Sequence, residues 1–206
     1  MEKHTLQVGS FEVNCSILAV NGWAWIVDPG AEPDRILQKL EELGLEAAGI
    51  LLTHGHFDHI GAIPALQRAA PNLAVHVNPE DVRMLTHPLN QFPPDYPSIR
   101  QPANIHAPED ACSALATEGI TLRVLPTPGH TPGGVCYHFP SDGLLFSGDT
   151  LFAGSVGRTD LPGGDMGILM DSLHSLVALP DATLVVPGHG PTTEIGREKA
   201  NNPFLP

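Results

Sequence analysis

The 206-residue chain has no apolar run approaching the roughly 20 residues a membrane span needs. Its opening residues, Met1-Glu-Lys-His-Thr-Leu-Gln-Val8, lack the apolar stretch of a secretory leader. Cysteine is scarce: Cys15, Cys112 and Cys136 are odd in number, far apart and in no C-x-x-C pair. That argues against a disulfide framework and predicts buried free thiols in a reducing cytoplasm. Positive charge is scarce too. Ten Lys and Arg against 23 Asp and Glu give a formal charge of −13. Such a surface repels phosphate backbones, so the expected partner is a small molecule rather than a nucleic acid or a membrane. The chain also lacks a G-x-S-x-G nucleophile elbow, a P-loop, and a G-x-G-x-x-G following a strand.

Glycine and proline are abundant, at 21 each, and are spread between apolar runs. This predicts one domain over residues 1–206 with many turns. The N-terminal part reads as a hairpin, Phe11–Val20 and Trp23–Val27, turning at Asn21-Gly22. An amphipathic helix follows over Pro33–Leu43, stopped by Gly44. Next come a strand over 48–53, a helix over 60–69 and a strand over 73–77. Residues 87–108 hold six prolines and no periodicity; a segment of this kind reads as a wall of a substrate cleft or as a surface excursion. Strands are expected over 121–125, 134–139, 144–147 and 183–186, and a helix over 166–179 with Asp165 as its N-cap. Strand-rich halves that each carry helices predict two packed sheets with helices outside.

The stretch Thr53-His-Gly-His-Phe-Asp-His59 concentrates four donors at a strand's end: His54, His56, Asp58 and His59. Three further donors share a strand–Gly–donor layout: His130, Asp149 and His189. Seven donors divide into two sites. His54, His56 and His130 would hold one cation, and Asp58, His59 and His189 a second, with Asp149 bridging. Imidazole and carboxylate donors without thiolate suit Zn²⁺, and also Fe or Mn. Open coordination positions would make the site catalytic, with Asp58 and Asp149 as its catalytic carboxylates. Asp28, also at a strand end, reads as a hydrogen-bond partner of a ligand imidazole or as a turn residue. Histidines 4, 76, 87, 106, 138 and 174 lack this context and read as surface or packing residues.

H-x-H-x-D-H, G-H-T-P-G, G-D-T-L-F and G-H-G, in this order, resemble the metallo-β-lactamase superfamily. The resemblance implies an α/β protein of the α+β type, an αββα four-layer sandwich with a two-metal site between its sheet edges. Within the superfamily the chain is similar to the hydroxyacylglutathione hydrolases (glyoxalase II), in the short bacterial type that lacks a C-terminal helical domain. That implies hydrolysis of S-(2-hydroxyacyl)glutathione to a 2-hydroxy acid and a thiol. Asp149 stands where the best-known β-lactamase subclass has Cys, which argues against antibiotic hydrolysis. Arg158 and Asp160 stand where the longer glyoxalase II enzymes have Lys and Tyr. Arg158 is therefore expected to bind a substrate carboxylate or to pair with Asp160. Gly157-Arg-Thr-Asp160 is also similar to the persulfide dioxygenases, which implies an alternative, one iron on His54, His130 and Asp149. A lactonase and a non-catalytic metal-binding module are the lesser alternatives.

Overall fold

The computed structural model describes residues 1–205. The first half forms β1 (Glu2–Val8), β2 (Val13–Val20), β3 (Trp23–Val27), α1 (Pro33–Leu43), β4 (Glu46–Leu51), α2 (Phe57–Ile60), α3 (Ile63–Ala69), β5 (Ala74–His76), α4 (Pro79–Val82) and β6 (Ile105–His106). These six strands make one sheet in chain order. β1, β2 and β3 pair antiparallel, and β3 through β6 run parallel. Because Val27 pairs with Leu51 and Leu51 with His76, the C-terminal ends of three parallel strands are level. Everything that leaves those strands emerges at one edge.

The second half forms α5 (Pro108–Thr117), β7 (Arg123–Pro126), β8 (Val135–Phe139), β9 (Leu144–Gly148), the short pair β10 (Leu151–Phe152) and β11 (Ser155–Val156), α6 (Met166–Leu176), β12 (Leu184–Pro187), β13 (Thr193–Glu194) and α7 (Ile195–Asn201). Its main sheet has the order β13-β12-β9-β8-β7, with β9 and β12 parallel.

Strand alternation accounts for the layers. In β2, Val13, Cys15 and Ile17 face the helical side with Ile36 and Leu66, while Leu18 and Val20 face the second sheet. In β8, Val135, Tyr137 and Phe139 meet Trp25, Val27 and Leu51 between the sheets, and Cys136 turns outward to Leu169 and Leu173 of α6. Both faces of the central strands are buried, which is why they read as continuous apolar runs. The result is helix, sheet, sheet, helix, as the αββα expectation stated. Cys15 and Cys136 are buried free thiols, and Cys112 is half-buried.

Local chemistry sets the boundaries. Pro33 opens α1, and Gly44 closes it at φ 65, donating to the carbonyls of Leu40 and Glu41. Asp165 caps α6, accepting from Ile168 N at 3.0 Å. Several elements differ from expectation, among them the helix expected over 60–69, which is broken between α2 and α3. β1 is a strand that polar, half-exposed residues conceal. Phe11 lies in the turn before β2, where Glu12 has φ 54. α6 ends at Leu176 rather than Leu179. Among the described residues, no helix is long and apolar enough to cross a membrane.

Candidate metal centre

The seven donors meet where the two sheets' strand ends adjoin. Thr53, two residues past β4, accepts from Val135 N at 2.8 Å and so ties one sheet to the other. His54 and His56 follow, and α2 then presents Asp58 and His59. His130 comes from the turn between β7 and β8, Asp149 from the end of β9, and His189 from the end of β12. Gly188 is required here. A Cβ on it would collide with Asp149 Oδ1 and with the His59 ring.

Side-chain atoms within each of three overlapping groups lie within 4.8 Å of one another: His54, His56 and His130; His54, His59 and Asp149; Asp58, His59 and His189. His56 Nδ1 is 2.8 Å from His130 Nε2. Asp149 stands between the outer groups, with Oδ1 3.5 Å from His59 Nε2 and Oδ2 3.5 Å from His130 Nε2 and 3.6 Å from His189 Nε2. Asp58 Oδ2 is 3.2 Å from His189 Nε2.

Partners behind the rings fix which nitrogen faces inward. Thr53 Oγ1 donates its hydrogen to Asp28 Oδ2 at 2.7 Å, so at 3.0 Å from His54 Nδ1 it is placed to accept. His130 Nδ1 donates to Arg158 O at 2.7 Å, and His189 Nδ1 to Phe11 O at 2.8 Å. His59 Nδ1 makes a 3.1 Å ion-pair contact with Asp28 Oδ2. Each arrangement leaves Nε2 aimed at the centre, which is how a protein orients imidazole for a cation.

Two observations show that the residues fit a metal. His54 Nε2, His59 Nε2 and Asp149 Oδ1 are buried without a hydrogen-bond partner, a costly state that coordination would relieve. The electrostatics also call for positive charge. Burial opposes protonation of His59, yet Asp58, Asp149 and Asp28 overcome it and raise its pKa to about 10. Burial likewise opposes ionisation of Asp58, but His59 and His189 pull it down to about 2. Burial and the neighbouring His130 press His56 down to about 3, so its ring stays neutral.

Arg158 reaches the centre through its backbone carbonyl. Its guanidinium is exposed and pairs with Asp160 through two 2.7 Å hydrogen bonds. Asp28 is nearly fully buried and makes the contacts of a supporting partner, accepting from Thr53 N at 2.8 Å as well. The histidines read as surface or packing residues enter none of the three donor groups.

Several supports carry no signal in the sequence. Asn14 Nδ2 donates to the carbonyls of Pro187 and Gly190, bracketing His189, at 2.9 and 2.8 Å. Asn90 accepts from Phe57 N at 3.0 Å and donates to Gly55 O at 2.8 Å. Asp81 binds Gly55, Thr131 and Gly133. A buried Asn or Asp far from any motif looks like a loop residue until the fold is known. The proline-rich segment packs against the donor-bearing loop. Phe92 and Tyr96 pack with Phe11 and Phe57 at ring separations of 5.3 to 6.1 Å. Phe57 lies between His56 and Asp58, so this aromatic cluster borders the donors.

Comparison with known proteins gives consistent results. The family model of the Metallo-beta-lactamase superfamily matches residues 8–189. The probable metallo-hydrolase YqgX of Bacillus subtilis is 37% identical, covering 100% of this chain and 98% of its own. Hydroxyacylglutathione hydrolase GloC of Haemophilus influenzae is 35% identical with the same coverage. The fold superposes on BLEG-1, a B3 metallo-beta-lactamase, with TM-score 0.86 and 33% identity over 99% of both chains. TTHA1623, solved in a di-iron-bound form, gives 0.85 and 37% over 98% of this chain and 100% of that one. ETHE1 from Myxococcus xanthus gives 0.74 and 29% over 98% and 84%.

Proposed function

Because this chain belongs to the metallo-beta-lactamase superfamily, and hence among metal-dependent enzymes, we propose that it hydrolyses thioesters of the S-(2-hydroxyacyl)glutathione class. The observation that carries this reading is the complete set of seven converging donors, with Asp149 between two groups. His54, His56 and His130 would hold one divalent cation and Asp58, His59 and His189 the other, Asp149 bridging. Zinc fits the donor chemistry; iron is the alternative that the di-iron form of TTHA1623 raises. When bound, such cations supply Lewis acidity and a water acidic enough to ionise near neutral pH.

The chain's own groups do the rest. Asp58, ionised down to about pH 2, accepts a hydrogen of the attacking water at Oδ2 and orients its lone pair toward the thioester carbonyl. Asp149 holds the two halves of the centre in register. The leaving thiol has a pKa of about 8.5, so it departs as thiolate without a dedicated general acid. The aromatic cluster of Phe11, Phe57, Phe92 and Tyr96 shields one side of the centre from water. Arg158, exposed beside the centre, can exchange Asp160 for a substrate carboxylate. The substrate is small and anionic, in keeping with a cytoplasmic enzyme that binds neither nucleic acid nor membrane.

The second reading is the mononuclear-iron persulfide dioxygenase, favoured by the likeness to ETHE1. Against it stands GloC, matched over almost its whole length. The likeness to BLEG-1, a B3 metallo-beta-lactamase, adds β-lactam opening as a third reading to test. One experiment separates all three. Purified protein is assayed anaerobically for thiol release from S-lactoylglutathione, then for oxygen uptake with glutathione persulfide and for β-lactam opening. Thiol release without oxygen is expected; oxygen uptake with the thioester intact overturns the proposal.

A further inference from the structure

Asp81 is a carboxylate with no solvent exposure at all, placed on α4 and outside every motif. Oδ2 accepts from Gly55 N at 3.0 Å and from Thr131 Oγ1 at 2.7 Å, and Oδ1 accepts from Gly133 N at 2.7 Å. Gly55 is the residue between His54 and His56, and Thr131 follows His130. One side chain therefore clamps the two loops that carry all three imidazoles of the first donor group. The approach is close: a Cβ on Gly133 would overlap the Asp81 carboxylate, and one on Gly55 would press on Asp81 itself. Asp81 touches none of the donors of the second group.

Its charge is as informative as its geometry. Burial makes an anion costly unless hydrogen bonds and positive charge offset it. Three neutral donors supply the hydrogen bonds, but among the described residues no Lys or Arg pairs with it. Burial pushes its pKa up, while the hydrogen bonds from Thr131, Gly133 and Gly55 and the neighbouring His130 pull it down. The first donor group is three imidazoles, whereas the second contains Asp58. A cation among His54, His56 and His130 would lack a carboxylate of its own beyond the shared Asp149, and Asp81 is hydrogen-bonded to the residues that flank those three donors.

We propose that Asp81 is a positioning residue selective for the three-histidine half of the centre, setting that half's metal affinity by clamping its two loops and supplying buried negative charge. The proposal rests on the metal centre and not on the identity of the substrate.

The test is equilibrium dialysis of the holoprotein against graded Zn²⁺ buffers, counting zinc per chain, with the fold followed by circular dichroism. Asp81→Asn should weaken one of two zinc equivalents by about 10- to 100-fold, the range for residues that support a ligand from behind, and leave the other unchanged. In a His189→Ala background, which spares the first group, the same loss should appear. In a His56→Ala background, which breaks that group, Asp81→Asn should add nothing. Should Asp81→Asn fail to fold, Thr131→Val removes one donor without changing charge and should give a smaller, equally selective loss. Wild-type affinities for both equivalents, or an equal loss of both, overturn the proposal. Neither outcome depends on which thioester, if any, is hydrolysed.

Discussion

Asp28 Oδ2 stands 3.1 Å behind His59 Nδ1, on the side of the ring away from the other donors. Asp28 adopts φ 48, a conformation that Asn tolerates. Asp28→Asn should therefore keep the turn and the bond from Thr53 N while removing the charge that orients His59. Metal affinity is expected to fall about 10- to 100-fold, read by chelator competition. Asp28→Ala also leaves buried Thr53 N unpaired, which should cost a further 1–3 kcal/mol or about that in urea unfolding of the metal-free protein. Unchanged zinc affinity in a folded Asp28→Asn protein would reduce Asp28 to a turn residue.

Asp149→Ala removes the carboxylate between the two groups. Bound metal, counted by elemental analysis of protein purified without added metal, should fall from two per chain, and turnover should be lost. A variant that kept both ions and its activity would remove the bridging role. A single iron on His54, His130 and Asp149 would point to the dioxygenase.

Metal loading should release a proton. His59 of the metal-free protein has its pKa raised to about 10, so it is protonated at neutral pH and a cation must displace that proton. Calorimetric titration of Zn²⁺ in buffers of different ionisation enthalpy should register about one proton from this ring at pH 7.5, and affinity should rise with pH toward 10. The sign for folding is opposite. A raised pKa stabilises the metal-free protein fully below the ordinary histidine value near 6.5, and that contribution disappears as pH rises through about 10. The urea midpoint of stripped protein should fall over that window. A flat midpoint and no proton release would show that His59 is neutral without metal.

Arg158→Ala tests the exposed cation. If the guanidinium leaves Asp160 for a substrate carboxylate, KM for S-lactoylglutathione should rise about tenfold with kcat little changed, because the contact is similar in ground and transition states. His130 should keep its anchor, which is the Arg158 backbone carbonyl rather than its side chain. Lost folding or lost metal would instead assign Arg158 to the ion pair with Asp160. Unchanged KM in a metal-loaded variant would place the carboxylate elsewhere.

Legibility in the sequence followed the range of the interactions. The donors were readable because four crowd into 54–59 just past an apolar run, while His130, Asp149 and His189 each follow a glycine, a local pattern with a local cause. The strands of the sandwich interior were readable for the same reason: burial on both faces leaves unbroken runs such as Trp23–Val27. β1 was not, because an edge strand buries little and its polar residues carry no alternation strong enough to read. α5 escaped notice behind the proline-rich tract, although Pro108 opens it. Asp81, Asn14 and Asn90 were beyond reach in principle. Each acts on backbone groups distant in the chain, up to 176 positions away for Asn14 and Gly190, and no spacing rule connects such residues.

The order in which the chain is made gives the split donor set another meaning. His54, His56, Asp58 and His59 emerge from the ribosome long before Asp149 and His189, and the Asp149 carboxylate meets the His59 and His130 rings only after β9 has docked. His189 comes last, and its loop is seated by Asn14, near the chain's beginning. A nascent or truncated chain therefore carries an incomplete chelate, able to exchange a cation but not to retain two. Metal retention becomes a certificate of completed folding. An unfinished copy should surrender any cation that it takes up.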